Sequence, residues 1–230
     1  MKRARRGVAN LYSKGCSWDR VTKLPQRSLY FQIRTDKHFM KRALVALLLA
    51  VASVLALAQD GPEVGSHQPS QSAADVLRVF AGADCAFMAA GLVKSSFEKD
   101  NLASLLQFPS DEVVVVNLTG SEIKQVLERS VSLYPQPNPS FLQLSGLEAT
   151  FSRNGTPGQR IVNVAVNGAK LDDKRTYSVA MPASLGRGGL GYFKIWDTSK
   201  IAKTFDKTTV EKVLKGKRFT ETSPRWSAVG

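Results

Sequence analysis

Histidine and cysteine are scarce in this 230-residue chain, with two of each, and its 19 acidic residues are outnumbered by 32 basic ones. His38 and Cys16 both lie within the first 58 residues, which leaves the remainder with His67 and Cys85 alone. Dinuclear metal centres, zinc sites and His-activated nucleophiles each draw on several such side chains. One histidine and one cysteine exclude most of that chemistry. A mature chain beginning at Gln59 would keep Cys85 as its one thiol, so it would form no intramolecular disulfide and would be held together by its core. There is no internal repeat.

The positive charge is unevenly placed. Residues 1–58 carry 12 basic and 2 acidic groups, and the rest carries 20 basic and 17 acidic ones. The body therefore has no overall charge reason to bind nucleic acid, despite the formal charge of +13 for the whole chain.

Long apolar runs are missing except for one. Met40-Lys41-Arg42 precedes an apolar stretch over 43–58, broken only by Ser53 and followed by polar Gln59-Asp60-Gly61-Pro62. A short basic region, a short apolar stretch and a small-x-small site are the parts of a secretory signal peptide, and Ala56-Leu57-Ala58 predicts cleavage before Gln59. The run is short for a membrane span, and an uncleaved amino-terminal anchor is the alternative. Residues 1–39 are rich in Arg, Lys and Ser and lack a sustained apolar period. They are expected to be an extension upstream of a true start at Met40. An organelle-type presequence would fit the arginines but not the export signal behind them.

Residues 59–71, rich in Pro, Gly, Ser and Gln, are expected to be a flexible tether, and 72–230 a single domain. Ser72 is placed to cap a short helix with Val76, Leu77, Val79 and Phe80, and a strand is expected over 84–88. The continuous β-branched run 113–116 reads as a strand buried on both faces. Thr119-Gly120-Ser121-Glu122 has capping-box spacing before Ile123, Val126, Leu127 and Val131. Beyond the prolines of 135–139 the period becomes alternating, with strands expected over 141–144, 147–151, 161–166 and 177–181. A glycine loop, Gly186-Arg187-Gly188-Gly189-Leu190-Gly191, follows, and Thr208-Thr209-Val210-Glu211 opens a last helix. Helices and strands mix without strict βαβ alternation, which gives the α+β class. Cys85 sits in an apolar strand and reads as inert core.

Several of these motifs, in this order, resemble the carboxy-terminal domain of the 5'-nucleotidase family. They are Ala83-Asp84-Cys85-Ala86-Phe87, the passage from Val113 to Gly120, Phe141-Leu142-Gln143-Leu144-Ser145-Gly146-Leu147, Pro157-Gly158-Gln159-Arg160-Ile161-Val162, Lys174-Arg175-Thr176-Tyr177-Ser178-Val179-Ala180 and Gly188-Gly189-Leu190-Gly191-Tyr192. The resemblance implies a layered α/β/β/α domain that recognises a nucleotide by sandwiching the base between two aromatic rings and contacting the sugar. In that family a separate metallophosphatase domain holds two metal ions and hydrolyses the phosphate ester. This chain lacks the residues for it, so no catalytic residue, metal or cofactor is expected here, and divalent metals are expected only in a partner metallophosphatase.

Carried over residue by residue, the family's Asn-Gly-Gly-Ile-Arg-type loop falls on 89–94, so Ala89 replaces the Asn, Gly91 is kept and Lys94 replaces the Arg. Lysine offers a point charge where arginine offers a planar fork. Phe108 corresponds to the first stacking ring, Ser184 replaces the second, and Leu190 replaces the Asp that contacts the ribose. The expected substrate-binding residues are therefore Phe108, Lys94, Gly91, Arg187, Gly188 and Gly189. The resemblance implies an exported recognition domain for a nucleoside, nucleotide or other small ligand, acting as the non-catalytic half of a split phosphohydrolase. The alternative is a degenerate domain that serves as a cell-envelope interaction module. Neither reading includes nucleic acid or, after signal cleavage, a membrane span.

Overall fold

A computed structural model describes residues 61–230. The upstream extension, the signal peptide and residues 59 and 60 of the expected tether lie outside the described residues.

Helix α1 (Gln68–Ala81) starts the described fold, with Pro69 in its first turn, where no intrahelical N–H is needed, and Gly82 closing it at φ 63°. Then come β1 (Cys85–Ala89), a 3-10 turn at Ala90–Leu92, another at Leu102–Leu105, β2 (Glu112–Thr119) and α2 (Gly120–Ser130). Strands β3 (Leu142–Ser145), β4 (Leu147–Ser152), β5 (Ile161–Val166), β6 (Ala169–Lys170) and β7 (Thr176–Pro182) precede α3 (Ala183–Gly186). The chain ends with β8 (Ile201–Thr209), α4 (Val210–Leu214) and β9 (Trp226–Val229). The strands form a five-stranded sheet, β3-β1-β7-β2-β8, and a four-stranded sheet, β6-β5-β4-β9. The expected α+β class is what forms.

Burial explains the central strands. Every residue of β1 and residues 113–116 of β2 are buried, because α1 packs across β1, β3 and β7 while α2 and α3 pack on β2. Thr119 Oγ1 accepts from the Glu122 N–H at 3.3 Å and the Glu122 carboxylate accepts from the Thr119 N–H at 2.8 Å, completing the expected capping box. Gly146, at φ 69°, is where the chain passes from β3 in one sheet to β4 in the other. A Cβ there would collide with the Asp84 carbonyl oxygen, so only glycine permits the crossing. Trp226 seals the junction: its indole N–H donates to the Leu142 carbonyl at 2.7 Å, and its ring lies 5.0 Å from Phe141 and 5.9 Å from Phe151.

The expectation of a tether through Gln71, with Ser72 as a helix cap, is corrected. Helix α1 begins at Gln68, Ser70 and Gln71 are fully buried, and Ser72 is inside the helix with its hydroxyl accepting from the Thr220 N–H. The physical reason is the buried amide of Gln143. Its Nε2 donates to the Pro62 and Gly65 carbonyls at 2.9 and 2.8 Å, and its Oε1 accepts from the His67 N–H at 2.8 Å. A buried amide needs such partners, and the segment ahead of α1 supplies them. Strands β8 and β9 were not expected. The first is a Lys-containing sheet edge and largely exposed, so it shows little apolar alternation.

The parallel pairing of β1 and β7 is fastened at its start by Asp84, which accepts from the Ser178 N–H at 2.8 Å and the Ser178 hydroxyl at 2.7 Å. Partial burial raises the Asp84 pKa, but the Ser178 hydrogen bonds and the Arg175 guanidinium outweigh it and hold the carboxyl below its ordinary value. Glu122 is likewise held low, by Lys200 and the Thr119 cap against burial. Groups whose folded pKa is depressed contribute stability above their unfolded pKa and lose it as pH falls through the folded value. Stability is therefore expected to be flat from pH 7 to about 5 and to decline below about pH 4. Urea titrations at pH 7, 5 and 3.5 check this, and Asp84→Asn is expected to flatten the decline.

Candidate functional site

Topology brings three segments to one end of the five-stranded sheet. Strands β1 and β7 run parallel, so the loops that leave them, 90–94 and 183–191, emerge at the same edge. Strand β2 is antiparallel to β7 with Val113 opposite Pro182, so residues 108–111 arrive at that edge too. The exits of parallel strands are where open sheets commonly present ligand sites. The Gln107 N–H donates to the Leu92 carbonyl at 2.9 Å and the Lys94 N–H to the Leu105 carbonyl at 2.8 Å, tying the first segment to the second. Asp111 ties the second to the third, its two carboxylate oxygens accepting from the Ser184 N–H at 3.1 and 3.0 Å. All six residues expected from the resemblance lie on these segments.

Their surroundings differ from residue to residue. Phe108 is 53% exposed. The cavity beside it, between Met88, Leu106, Pro182 and Val210, holds about 10 Å³, room for no more than one water. A planar ligand has access to the outer face of this ring and not to a slot. Lys94 and Arg187 are exposed, and neither side chain is paired with a carboxylate among the described residues. The glycines are close-packed. A Cβ on Gly188, at φ 85°, would lie 2.6 Å from the Phe193 Cα, one on Gly189 would lie 2.5 Å from the Ser184 carbonyl oxygen, and one on Gly91 would lie 3.2 Å from Pro139. The chain itself fills the space that these glycines leave open.

Leu190 closes the site from the other side. Its Cδ2 comes within 3.3 Å of where a Gly91 Cβ would be, and its backbone is left-handed at φ 55°, ψ 25°. That conformation costs an ordinary L-residue about 1–2 kcal/mol and suits Asp or Asn better. The loop thus has a left-handed backbone at the position where the resemblance implies an Asp, with an apolar side chain there. Arg129 Nη2 and Ser140 Oγ donate to the Leu190 carbonyl at 2.6 and 2.7 Å and hold it there. Behind the loop, Tyr192 stacks on Trp196 with centroids 4.7 Å apart and donates to the Ser140 carbonyl at 2.6 Å. Burial pushes its phenol well above the ordinary value, so it is a neutral donor and unavailable as a replacement stacking ring. Phe193 is the exposed ring of this loop.

Sequence reasoning missed Asp111, Arg129 and Ser140. Arg129 reaches Leu190 across 61 positions of sequence, and nothing beside it marks that contact. Asp111, three residues after Phe108, had a usable signal as an acidic residue just ahead of a buried strand. Among the described residues no group of three or more His, Cys, Asp or Glu is placed to hold a metal ion. They do not fit the paired ions of a metallophosphatase, and no hydrolytic step is assigned to them. Cys85 is buried, and desolvation, aided by the neighbouring Asp84 carboxylate, pushes its thiol up to about 12.

Residues 50–197 match the family model described as 5'-nucleotidase, C-terminal domain. The chain belongs to that family. It is 33% identical over 108 residues to the trifunctional nucleotide phosphoesterase protein YfkN of Bacillus subtilis, an alignment covering 45% of this chain and 7% of that protein. It is 33% identical over 106 residues to the 5'-nucleotidase of Mus musculus, covering 43% and 18% respectively. Among solved structures, the 5'-nucleotidase precursor of Thermus thermophilus superposes with a TM-score of 0.61 at 23% identity, over 84% of this chain and 43% of that one. The NAD nucleotidase of Haemophilus influenzae gives 0.52 at 19% identity, over 82% and 42%. The chain therefore spans less than half the length of these relatives. No helix among the described residues is long and apolar enough to cross a membrane.

Two outcomes follow from the packing. Gly188→Ala is expected to destabilise by about 2 kcal/mol or more, from the left-handed φ and the Phe193 backbone together. Glycines kept only for ligand approach would leave the urea midpoint unchanged on substitution. Cys85 in the folded protein is expected to resist iodoacetamide at pH 7.5 and to alkylate in denaturant, as read by peptide mass.

Proposed function

We propose that this chain is an exported recognition domain that binds a nucleoside or nucleotide on one face of Phe108 and does not hydrolyse it. The observation that carries this reading is the convergence of the three strand-end segments around a half-exposed Phe108, in a chain of the 5'-nucleotidase C-terminal family. In the proposed pose the base stacks on the outer face of the ring, and the exposed cations of Lys94 and Arg187 attract the phosphate. The site is one-sided: Ser184 offers no second ring, and Leu190 offers no carboxylate to a ribose. Affinity then rests on a single stack plus screened charge, and modest binding is expected. Hydrolysis would belong to a separately encoded metallophosphatase, which would supply the metal ions. Export rests on the apolar stretch over 43–58 with its Ala-Leu-Ala site.

A second reading, an envelope interaction module without a small-molecule ligand, is favoured by Leu190 lying over Gly91 and by the 10 Å³ cavity beside Phe108. Calorimetric titration with adenosine and AMP separates the two. Phe108→Ala is expected to weaken binding ten- to a hundredfold, as loss of one base stack of about 1–3 kcal/mol requires. Its effect on stability is expected to be about 1 kcal/mol, because roughly half of the side chain is already exposed. Unchanged affinity in this variant, or no heat with either ligand from a cooperatively folded sample, would place the interaction module first.

A further inference from the structure

Helix α1 carries more apolar surface than its core contacts use. Ala73, Ala74 and Leu77 are fully buried against the sheet. Val76, Val79 and Phe80, spaced i, i+3, i+4, form a second stripe on the same helix. Val79 is 72% and Phe80 42% exposed. This stripe is one wall of an open groove of about 530 Å³, and Val213 of α4, with the stems of Lys212 and Lys217, forms the other. Phe80 rests on Phe205 of β8 with centroids 4.9 Å apart, so the apolar surface continues onto the sheet edge.

The rim is basic and unbalanced. Residues 201–218 contain five Lys, one Arg and two acidic side chains. Lys203, Lys207, Lys212, Lys215 and Lys217 form no ion pair among the described residues. Lys203 Nζ lies 4.2 Å from the Phe205 ring centroid, and Lys212 Nζ donates to the Lys207 carbonyl at 2.8 Å, which fixes both ammonium groups beside the apolar surface. The acidic residue in the lining, Asp75, is already paired with Arg225 at 2.7 Å.

We infer that the groove between α1 and α4 docks an acidic amphipathic helix of a partner protein, whose apolar side chains enter between Val79 and Val213 while its carboxylates meet the lysine rim. The shape and chemistry select this occupant. The surface is concave, so it receives protruding side chains; a lipid bilayer would call for a protruding apolar edge. The floor lacks the convergent polar groups that orient a small molecule. A second copy placed symmetrically would bring the same lysines to the contact. The chain's own apolar stretch over 43–58 has no acidic residue and follows Lys41-Arg42, the wrong charge for this rim. Helix-in-groove recognition with a complementary charged rim is an established mode of peptide binding. The inference is independent of ligand binding at Phe108.

The test is fluorescence anisotropy of the full chain with a labelled 18-residue peptide carrying leucines on one helical face and glutamates on the other. The expected Kd is on the order of 10 µM at low salt, weakening steeply as salt is raised. A scrambled peptide of the same composition is expected to bind at least tenfold more weakly. Val79→Asp is expected to cost tenfold or more, and Val79→Leu to retain binding. Lys212→Glu with Lys217→Glu is expected to lose tenfold or more, with circular dichroism unchanged, since all three sites face water. Equal binding of the scrambled peptide, an unaffected Val79→Asp, or no binding at about 100 µM peptide overturns the proposal. So does capture of phosphatidylglycerol vesicles by a chain that ignores the peptide.

Discussion

The parallel alignment of β1 with β7 is the constraint on which the rest depends. It is short, pairing Cys85 with Val179 and Ala86 with Ala180, and it is fastened at its beginning by the Asp84 carboxylate on Ser178. Parallel neighbours send their exits the same way, and β2, antiparallel to β7, brings its entrance to meet them. Loops separated by about a hundred positions thereby share one edge. Without that alignment Gly91, Phe108 and the glycine loop would be three unrelated surface features.

At that edge the protein packs closely on itself. Gly188 and Gly189 lie against Phe193 and Ser184, Leu190 lies over Gly91, and Arg129 holds the Leu190 carbonyl while its guanidinium sits 5.4 Å above the Tyr192 ring. The left-handed backbone at Leu190 is kept although leucine bears it poorly, because two side-chain donors and the stacked Tyr192–Trp196 pair over-determine the loop. Phe108 faces outward at this edge, together with Lys94, Arg187 and Phe193. In the proposed function this surface is shallow, and its specificity would come from one ring and two exposed cations.

Much of this was legible in the sequence, wherever local chemistry and tertiary context agree. The β-branched run 113–116, the Thr119–Glu122 capping box and the alternation from 161 to 166 each announce the element that forms. The site's segments were legible through resemblance, as motifs in order. What was illegible has physical causes. The stretch ahead of α1 has a linker's composition, and only the distant, buried Gln143 amide gives its backbone partners. Strand β8 is an exposed lysine-bearing edge, so it lacks the alternation of a half-buried strand. The closure of the glycines is a matter of which atoms lie beside them, and Gly-Gly in a sequence is equally compatible with ligand approach and with close packing.

The central claim is that residues 90–94, 108–111 and 183–191 form one ligand surface. An amide-resolved NMR titration of the chain with adenosine tests it most directly. The account predicts saturable shifts confined to those three segments, with the largest near Phe108. Shifts spread over other parts of the molecule, or none at millimolar adenosine in a well-dispersed spectrum, would contradict it.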